Sequence, residues 1–100
     1  MSYTVVILLS AEKEIAEAFS WYEEQKEGLG DRFIKTLRRH ITHLADYPEH
    51  YQTHHQNYRK SKLDSFPYVI VFKLYKSQKE IIVSSIFHTS RKPTRKISKT

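Results

Sequence analysis

The sequence predicts an α+β domain in which a helical hairpin packs on one face of a small, mostly antiparallel sheet. Three features favour this class: an apolar run at residues 3–9, two stretches of helical periodicity between residues 10 and 47, and β-branched and aromatic runs after residue 67. The predicted order is β-α-α-β-β-β. One hundred residues suit a single domain, residues 1–100, in which 94–100 are expected to form a flexible basic tail.

The first predicted strand is residues 3–9, "YTVVILL". Nearly every position is apolar, and there is no alternation between apolar and polar side chains. This pattern is typical of a strand that is covered on both faces or is central in its sheet.

The first predicted helix follows Ser10, whose hydroxyl is a favourable N-cap. Its apolar stripe comprises Ala11, Ile15, Ala18, Phe19 and Tyr22. The segment "EGLGD" ends this helix, because Gly28 suits a left-handed C-cap and Asp31 suits the start of a second helix.

The second predicted helix ends near Tyr47, because Pro48 follows and the residue before a proline avoids the α region. Only a few residues connect the two helices, which predicts an antiparallel hairpin. The side chains expected to be buried from this helix are Phe33, Leu37, Ile41 and Leu44.

The remaining chain predicts strands. The polar segment "YQTHHQNYRKSKL" suits one or two edge strands with a bend, and Pro67 marks the start of a central strand, "YVIVFKLY". The turn "KSQK" leads into a second central strand, "EIIVSSIFH". Strict alternation would place one set of its side chains on a common face: Ile81, Val83, Ser85 and Phe87.

Composition narrows the function classes. The chain has no cysteine, which excludes disulfides, zinc–thiolate sites and thiol nucleophiles and fits a reducing, cytoplasmic location. The apolar run near the N-terminus is too short for a membrane span and lacks signal-peptide flanks, so we expect no membrane association.

Charge is distributed unevenly along the chain, although the overall net charge is only +6. Residues 1–56 carry six Lys/Arg against nine acids, a net −3, whereas residues 57–100 carry eleven against two, a net +9. The second half therefore indicates an anionic partner, which on these grounds is nucleic acid, an acidic protein or a membrane surface.

Two basic clusters are candidate sites. Arg59, Lys60 and Lys62 form either a phosphate-binding patch or a charged edge strand that blocks unwanted pairing. His88, Arg91 and Lys92 follow the last strand and are either a proton-transfer and phosphate-clamping group or a plain exposed strand end.

A hairpin through "KSQK" would return the end of the last strand to the beginning of the central strand. We therefore expect His88 and Arg91 to converge with Arg59, Lys62 and Tyr68 on one rim of the sheet. The histidines lack the spacing of a metal site, and no glycine-rich phosphate loop is present, so no metal and no cofactor are predicted.

Four segments carry a family resemblance when taken in order: "AEKEIAEAFSWYEEQKEGLGDRF", "YPEHY", "YRKSKLDSFPYVIVFKLY" and "SSIFHTSRKP". Together they resemble the RelE/ParE superfamily of toxins from bacterial type II toxin–antitoxin systems, which are often described as plasmid stabilisation proteins. The resemblance extends from Tyr3 to about Pro93.

The resemblance implies a growth-inhibiting toxin that is neutralised by a cognate acidic antitoxin. RelE-like ribonucleases typically have an arginine at the position that corresponds to Tyr68, and tend to have a tyrosine near the C-terminus. This chain has neither, so the resemblance favours the ParE-like branch, which poisons DNA gyrase.

Two alternatives remain open. One is a RelE-like endoribonuclease that cleaves mRNA, either on the ribosome or independently of it, and the other is a non-toxic basic binding module derived from the family. A nuclease would have Arg59, Lys62, His88 and Arg91 as its catalytic candidates. The target-binding candidates for a ParE-like toxin are Arg59, Lys62, Tyr68, His88, Arg91 and Lys92.

Overall fold

The computed structural model describes residues 2–90, and the predicted basic tail at 94–100 lies outside them, as do Arg91 and Lys92. The described chain contains six regular elements and two short 3-10 turns, at Pro48–His50 and His55–Asn57. The elements are β1 (Thr4–Ile7), α1 (Leu9–Gln25), α2 (Leu29–Asp46), β2 (Tyr58–Lys62), β3 (Tyr68–Tyr75) and β4 (Glu80–His88). The predicted order and α+β class are confirmed.

The four strands form one sheet in the order β1-β4-β3-β2. β1 runs parallel to β4, and the other two neighbouring pairs are antiparallel. The two long apolar strands predicted to be central, β3 and β4, occupy the middle of the sheet, and the polar β2 lies at an edge.

The prediction that the first strand is central, or covered on both faces, is wrong. β1 lies at the opposite edge of the sheet from β2 and is only four residues long. Its Val6 is 36% exposed. The last apolar residues of the run, Leu8 and Leu9, are 41% and 65% exposed and lead into α1. The uninterrupted apolar run therefore combines a half-buried edge strand with an exposed helix start.

Two predicted helix caps also differ. The N-cap position of α1 is Leu8, and Ser10 lies inside the helix, where its hydroxyl donates to the carbonyl of Ser84 at 3.1 Å. Gly28 does adopt the left-handed conformation, with φ +89°, but it is the N-cap of α2, and the C-cap of α1 is Lys26. Ser10 thus fastens α1 to the sheet.

The turn between the helices is fixed by a side chain. The two carboxylate oxygens of Glu23 accept hydrogen bonds from the backbone N–H groups of Gly28 and Gly30, each at 2.9 Å. These donors lie at the N-terminus of α2, where four N–H groups lack partners within the helix and where a negative charge is favourable. Glu23 therefore caps α2 from the neighbouring helix.

Aromatic rings form the centre of the core between the hairpin and the sheet. Phe33 is fully buried, and its ring centroid lies 5.4 Å from that of Tyr22, 5.4 Å from that of Phe66 and 5.2 Å from that of Tyr68. Phe33, Leu37 and Leu44 of α2 are buried as predicted, whereas Ile41 is only partly buried.

A β-bulge interrupts β4. Val71 of β3 pairs with Ser85, but the next residue, Phe72, pairs with Val83, so β4 contains one extra residue. The core-facing residues of β4 are consequently Ile81, Val83 and Ile86, each at most 1% exposed. The predicted common face that includes Ser85 and Phe87 is therefore wrong beyond the bulge.

Candidate target-binding and partner-binding surfaces

The end of the β3–β4 hairpin brings two predicted site residues together. Tyr68 and His88 are paired across the ladder, and their ring centroids lie 5.1 Å apart in an edge-on arrangement. His88 Nδ1 accepts the backbone N–H of Ser90 at 3.1 Å, which places the proton of a neutral ring on Nε2. The predicted return of the last strand to the start of β3 is confirmed.

Lys62 lies at the same end of the sheet. It pairs with Val69, and the following backbone N–H, of Leu63, donates to the carbonyl of Tyr68 at 3.0 Å. Lys62 is exposed, and its side chain lies on the opposite face of the sheet from the buried Tyr68 ring. Of the predicted rim, the described residues thus place Lys62, Tyr68 and His88 at one end of the sheet, with only Tyr68 and His88 in contact; Arg91 and Lys92 lie outside them.

Tyr68 is buried rather than presented at the rim. Only 3% of the residue is exposed, and its ring packs against Tyr22 and Phe33 as part of the aromatic core. A side chain in this position supports the fold and orients His88. The expectation that Tyr68 contacts a target directly is therefore not compatible with this geometry.

Arg59 does not converge on the rim. It pairs with Phe72, three residues along β3 from the partner of Lys62, which corresponds to about 10 Å along the strand. Its guanidinium donates to the backbone carbonyl of Tyr51 at 2.8 Å, and the residue is partly buried. Arg59 therefore holds the segment before β2 against the sheet.

The cations of β2 divide between its faces. Ser61 is 3% exposed and pairs with the fully buried Ile70, so it faces the core. Lys60 and Lys62 are exposed and, by the alternation of strand side chains, lie on the face of the sheet away from the helices. The face opposite the hairpin is therefore basic along this edge.

A groove of about 560 Å³ lies between α2 and the β2 edge. The residues that line it combine cationic, imidazole and hydroxyl groups: Arg39, His40, His43, Tyr51, Lys60, Ser61 and Lys62. Arg39 lies on the α2 side of this groove, and Lys60 and Lys62 line its β2 side, with their side chains directed to the far face of the sheet. This groove is a candidate binding surface of the described residues.

One carboxylate already lies at the groove. Asp64 Oδ2 is 3.1 Å from Arg39 Nη1 and 3.4 Å from His40 Nε2. The hydrogen bond from Arg39, followed by the charge of His40, holds the pKa of Asp64 below its usual value. Asp64 therefore stays ionised at neutral pH and shows how a carboxylate binds to this end of α2.

Two aromatic side chains, those of His43 and Tyr51, also line the groove. His43 Nδ1 and the Tyr51 hydroxyl are 2.7 Å apart. Sequence reasoning missed Arg39 and His43 as site residues because the groove exists only where α2 meets β2. Their i, i+4 spacing on one helix face was the only signal available.

Within residues 2–90, no group of three or more His, Asp or Glu side chains is arranged to hold a metal ion. In the same part of the chain, no helix combines the length and apolar character needed to cross a membrane.

The family profile described as "ParE toxin of type II toxin-antitoxin system, parDE" matches residues 5–93. The chain belongs to the ParE toxin family. The profile covers all the elements described above except Thr4, the first residue of β1, and includes Arg91 and Lys92 at its end. No significant relative was found among curated proteins.

Solved structures share the fold of this ParE-family chain at low sequence identity. The chromosomal ParDE toxin–antitoxin structure from P. aeruginosa superimposes with a TM-score of 0.77 at 12% identity, covering 89% of this chain and 98% of that one. The intact E. coli RelBE toxin–antitoxin complex gives 0.69 at 19% identity, with 90% and 100% covered. The isolated E. coli RelE toxin gives 0.68 at 18%, with 97% and 95% covered. At these identities the likeness shows the shared RelE/ParE fold.

Proposed function

We propose that this ParE-family chain acts in the cytoplasm as a growth-inhibiting toxin that targets DNA gyrase and is neutralised by an acidic antitoxin. The burial of Tyr68 is the observation that favours DNA gyrase over mRNA as the target. A RelE-like ribonuclease would need a phosphate-binding arginine at this position, whereas the Tyr68 side chain is part of the core. A core aromatic ring cannot stabilise a charged transition state.

The other cations do not replace that arginine. Arg59 is bound to the carbonyl of Tyr51, and Lys62, the exposed cation at this end of β2, is separated from His88 by β3. A single flexible lysine and a histidine lack the paired, fixed hydrogen bonds with which arginines clamp a scissile phosphate. The rim is better suited to contact a protein surface than to cleave RNA.

The groove beside β2 supports an acidic antitoxin. Leu63 donates its N–H toward β3, so the preceding residue, Lys62, directs its backbone groups away from β3 toward the outer edge. An extended segment can add there as a further strand, and because its side chains alternate, carboxylates on one face would meet Arg39 and those on the other would meet Lys60 and Lys62. Charge pairing and main-chain hydrogen bonds would offset the conformational entropy that the antitoxin segment loses when it becomes ordered.

Expression of the chain alone in growing bacteria tests the toxin and its target together. We expect growth arrest and induction of a DNA-damage reporter, with no new mRNA ends by primer extension. New cleavage ends without a DNA-damage response would instead assign the ribonuclease function. Normal growth at good soluble expression would assign the non-toxic binding module.

Charge reversal tests the antitoxin surface. We expect Lys60→Glu with Lys62→Glu to weaken binding of the cognate antitoxin by tenfold or more, about 1.4 kcal/mol, in a calorimetric titration. Lys13→Glu with Lys26→Glu, which places the same two charge reversals at exposed positions of the helical hairpin, is the matched control and should bind normally. Equal effects of both changes would show that the groove is not the binding surface.

A further inference from the structure

The outer edge of β1 is open. Thr4 and Leu8 donate their backbone N–H groups to the carbonyls of Lys79 and Val83, each at 3.0 Å. The backbone N–H and C=O groups of the even-numbered residues in this segment therefore point toward β4. In a parallel ladder the intervening residues direct both backbone groups to the other side. Val5 and Ile7 therefore present two N–H and two C=O groups along an edge that no strand of residues 2–90 covers.

Apart from its shortness, this edge lacks the devices that normally block strand addition. β1 reads "TVVI", with no charge, no proline and no bulge, although its shortness limits its reach. Apolar side chains continue along it: Val6, Leu8 and Leu9 are 36%, 41% and 65% exposed. Exposed apolar side chains that adjoin one another in this way are typical of an interaction surface.

The opposite edge of the sheet is different. Arg59, Lys60 and Lys62 lie in β2, and the Thr53–Arg59 bridge already covers part of it. Two copies of that edge would bring like charges together, which disfavours self-pairing. The neutral β1 edge carries no such repulsion, and this contrast selects a second copy of the chain as its occupant.

We propose that two copies of this chain associate through antiparallel pairing of their β1 strands, which makes one continuous sheet of eight strands. A two-fold axis at Val6 pairs Val5 of one copy with Ile7 of the other, so that all four outward-facing groups of each copy are used. Val6 then lies opposite its own counterpart in a non-hydrogen-bonded pair, where side chains are closest. The short contact makes the dimer weak and dependent on concentration.

Single cysteines test this register, since the chain contains none of its own. Val6→Cys should form a disulfide-linked dimer on mild oxidation, because Cα atoms of such a pair are about 4.5 Å apart, within disulfide range. Thr4→Cys is the matched control on the same strand and face. The two cysteines at position 4, one in each copy of the chain, would be about 14 Å apart along the strands and should not cross-link.

We expect Val6→Cys to cross-link at least about tenfold faster than Thr4→Cys, because pairing raises the effective concentration of the two thiols. Equal rates for the two variants would indicate random collision and overturn the proposal.

Sedimentation of the cysteine-free protein gives the second readout. The mass should rise from 12.0 kDa toward twice that value with increasing concentration, and Val6→Lys should keep it monomeric. Tyr75→Lys is the matched control, since Tyr75 is similarly exposed, at 39%, but lies away from this edge. A constant 12.0 kDa at all concentrations, or a dimer that survives Val6→Lys, would overturn the proposal.

Discussion

At the scale of single residues, the turn between the helices shows why one segment of the sequence is so distinctive. In "WYEEQKEGLGDRF", Glu23 caps α2 through two backbone N–H groups, and Gly28 supplies the left-handed conformation that aims them. Gly30 has no room for a side chain, because a Cβ there would lie 2.8 Å from Glu23 Oε1 and 2.9 Å from the Phe19 ring. Glu23, Gly28 and Gly30 are therefore each favoured at their positions for a different physical reason.

Replacing the cap should destabilise the domain. Glu23→Ala leaves two partly buried N–H groups at a helix N-terminus without their charged acceptor, and we expect a loss of about 1–3 kcal/mol in the free energy of unfolding. Chemical denaturation measures this loss. Glu24→Ala, at the exposed neighbouring position, is the control and should change stability by less than about 0.5 kcal/mol. Equal losses for the two would mean that the cap contributes nothing.

Arg59 and Lys60 are adjacent cations with different predicted roles. Arg59→Ala should lower stability by about 1–3 kcal/mol, because a charge-assisted hydrogen bond to the Tyr51 carbonyl is lost from a partly buried site. Lys60→Ala removes an exposed charge and should leave the melting temperature nearly unchanged. If Arg59→Ala abolished toxicity at unchanged stability, Arg59 would be a target contact and not a structural residue.

At the scale of elements, helices were predicted from the sequence more accurately than the sheet. Helical spacing and Pro48 placed both helices to within a few residues, and Pro67 marked the start of β3. The edge position of β1 was missed because an apolar run does not show which strand will pair with it. The β4 bulge was missed because it shifts the alternation by one residue without any change in composition.

The bulge in β4 is fastened by α1. Glu14 accepts the N–H of Ile86 at 2.8 Å and the hydroxyl of Ser85 at 3.1 Å, so a helix side chain satisfies the interrupted ladder. We expect Glu14→Ala to cost about 1–3 kcal/mol in a denaturant melt. Exposed Glu17→Ala, on the same helix, should have little effect. Comparable melts for the two variants would argue against this anchoring role.

Packing between the hairpin and the sheet depends on Phe33. Its ring is fully buried against three other aromatic rings, so Phe33→Ala should destabilise the domain by roughly 3–5 kcal/mol. A domain of this size is stable by only about 5–15 kcal/mol, so unfolding at moderate temperature is expected. A thermal melt unchanged by this substitution would contradict the assigned core.

At the scale of the whole molecule, both helices lie in the first 56 residues, which carry a net −3, whereas strands β2, β3 and β4 lie in residues 57–90, which carry six Lys/Arg against two acids, a net +4. The groove lies between α2 and β2, with Arg39 on its helix side and Lys60 and Lys62 on its strand side. An acidic partner is therefore drawn to one edge of the molecule rather than to its whole surface.

Antitoxin binding should consequently weaken with salt. Screening at moderate ionic strength reduces the attraction between the exposed groove cations and antitoxin carboxylates. We expect the dissociation constant to rise several-fold between low and moderate salt in titrations of the wild-type chain. The Lys60→Glu, Lys62→Glu variant should lose most of this dependence. An affinity independent of salt would indicate a mainly apolar interface.

The most direct test of the proposed function is the supercoiling of relaxed plasmid by purified DNA gyrase in the presence of the purified chain. Inhibition should increase with the amount of chain added and be reversed by the cognate antitoxin, while mRNA incubated with the same preparation stays intact. Full supercoiling at every concentration of a folded chain would contradict gyrase as the target.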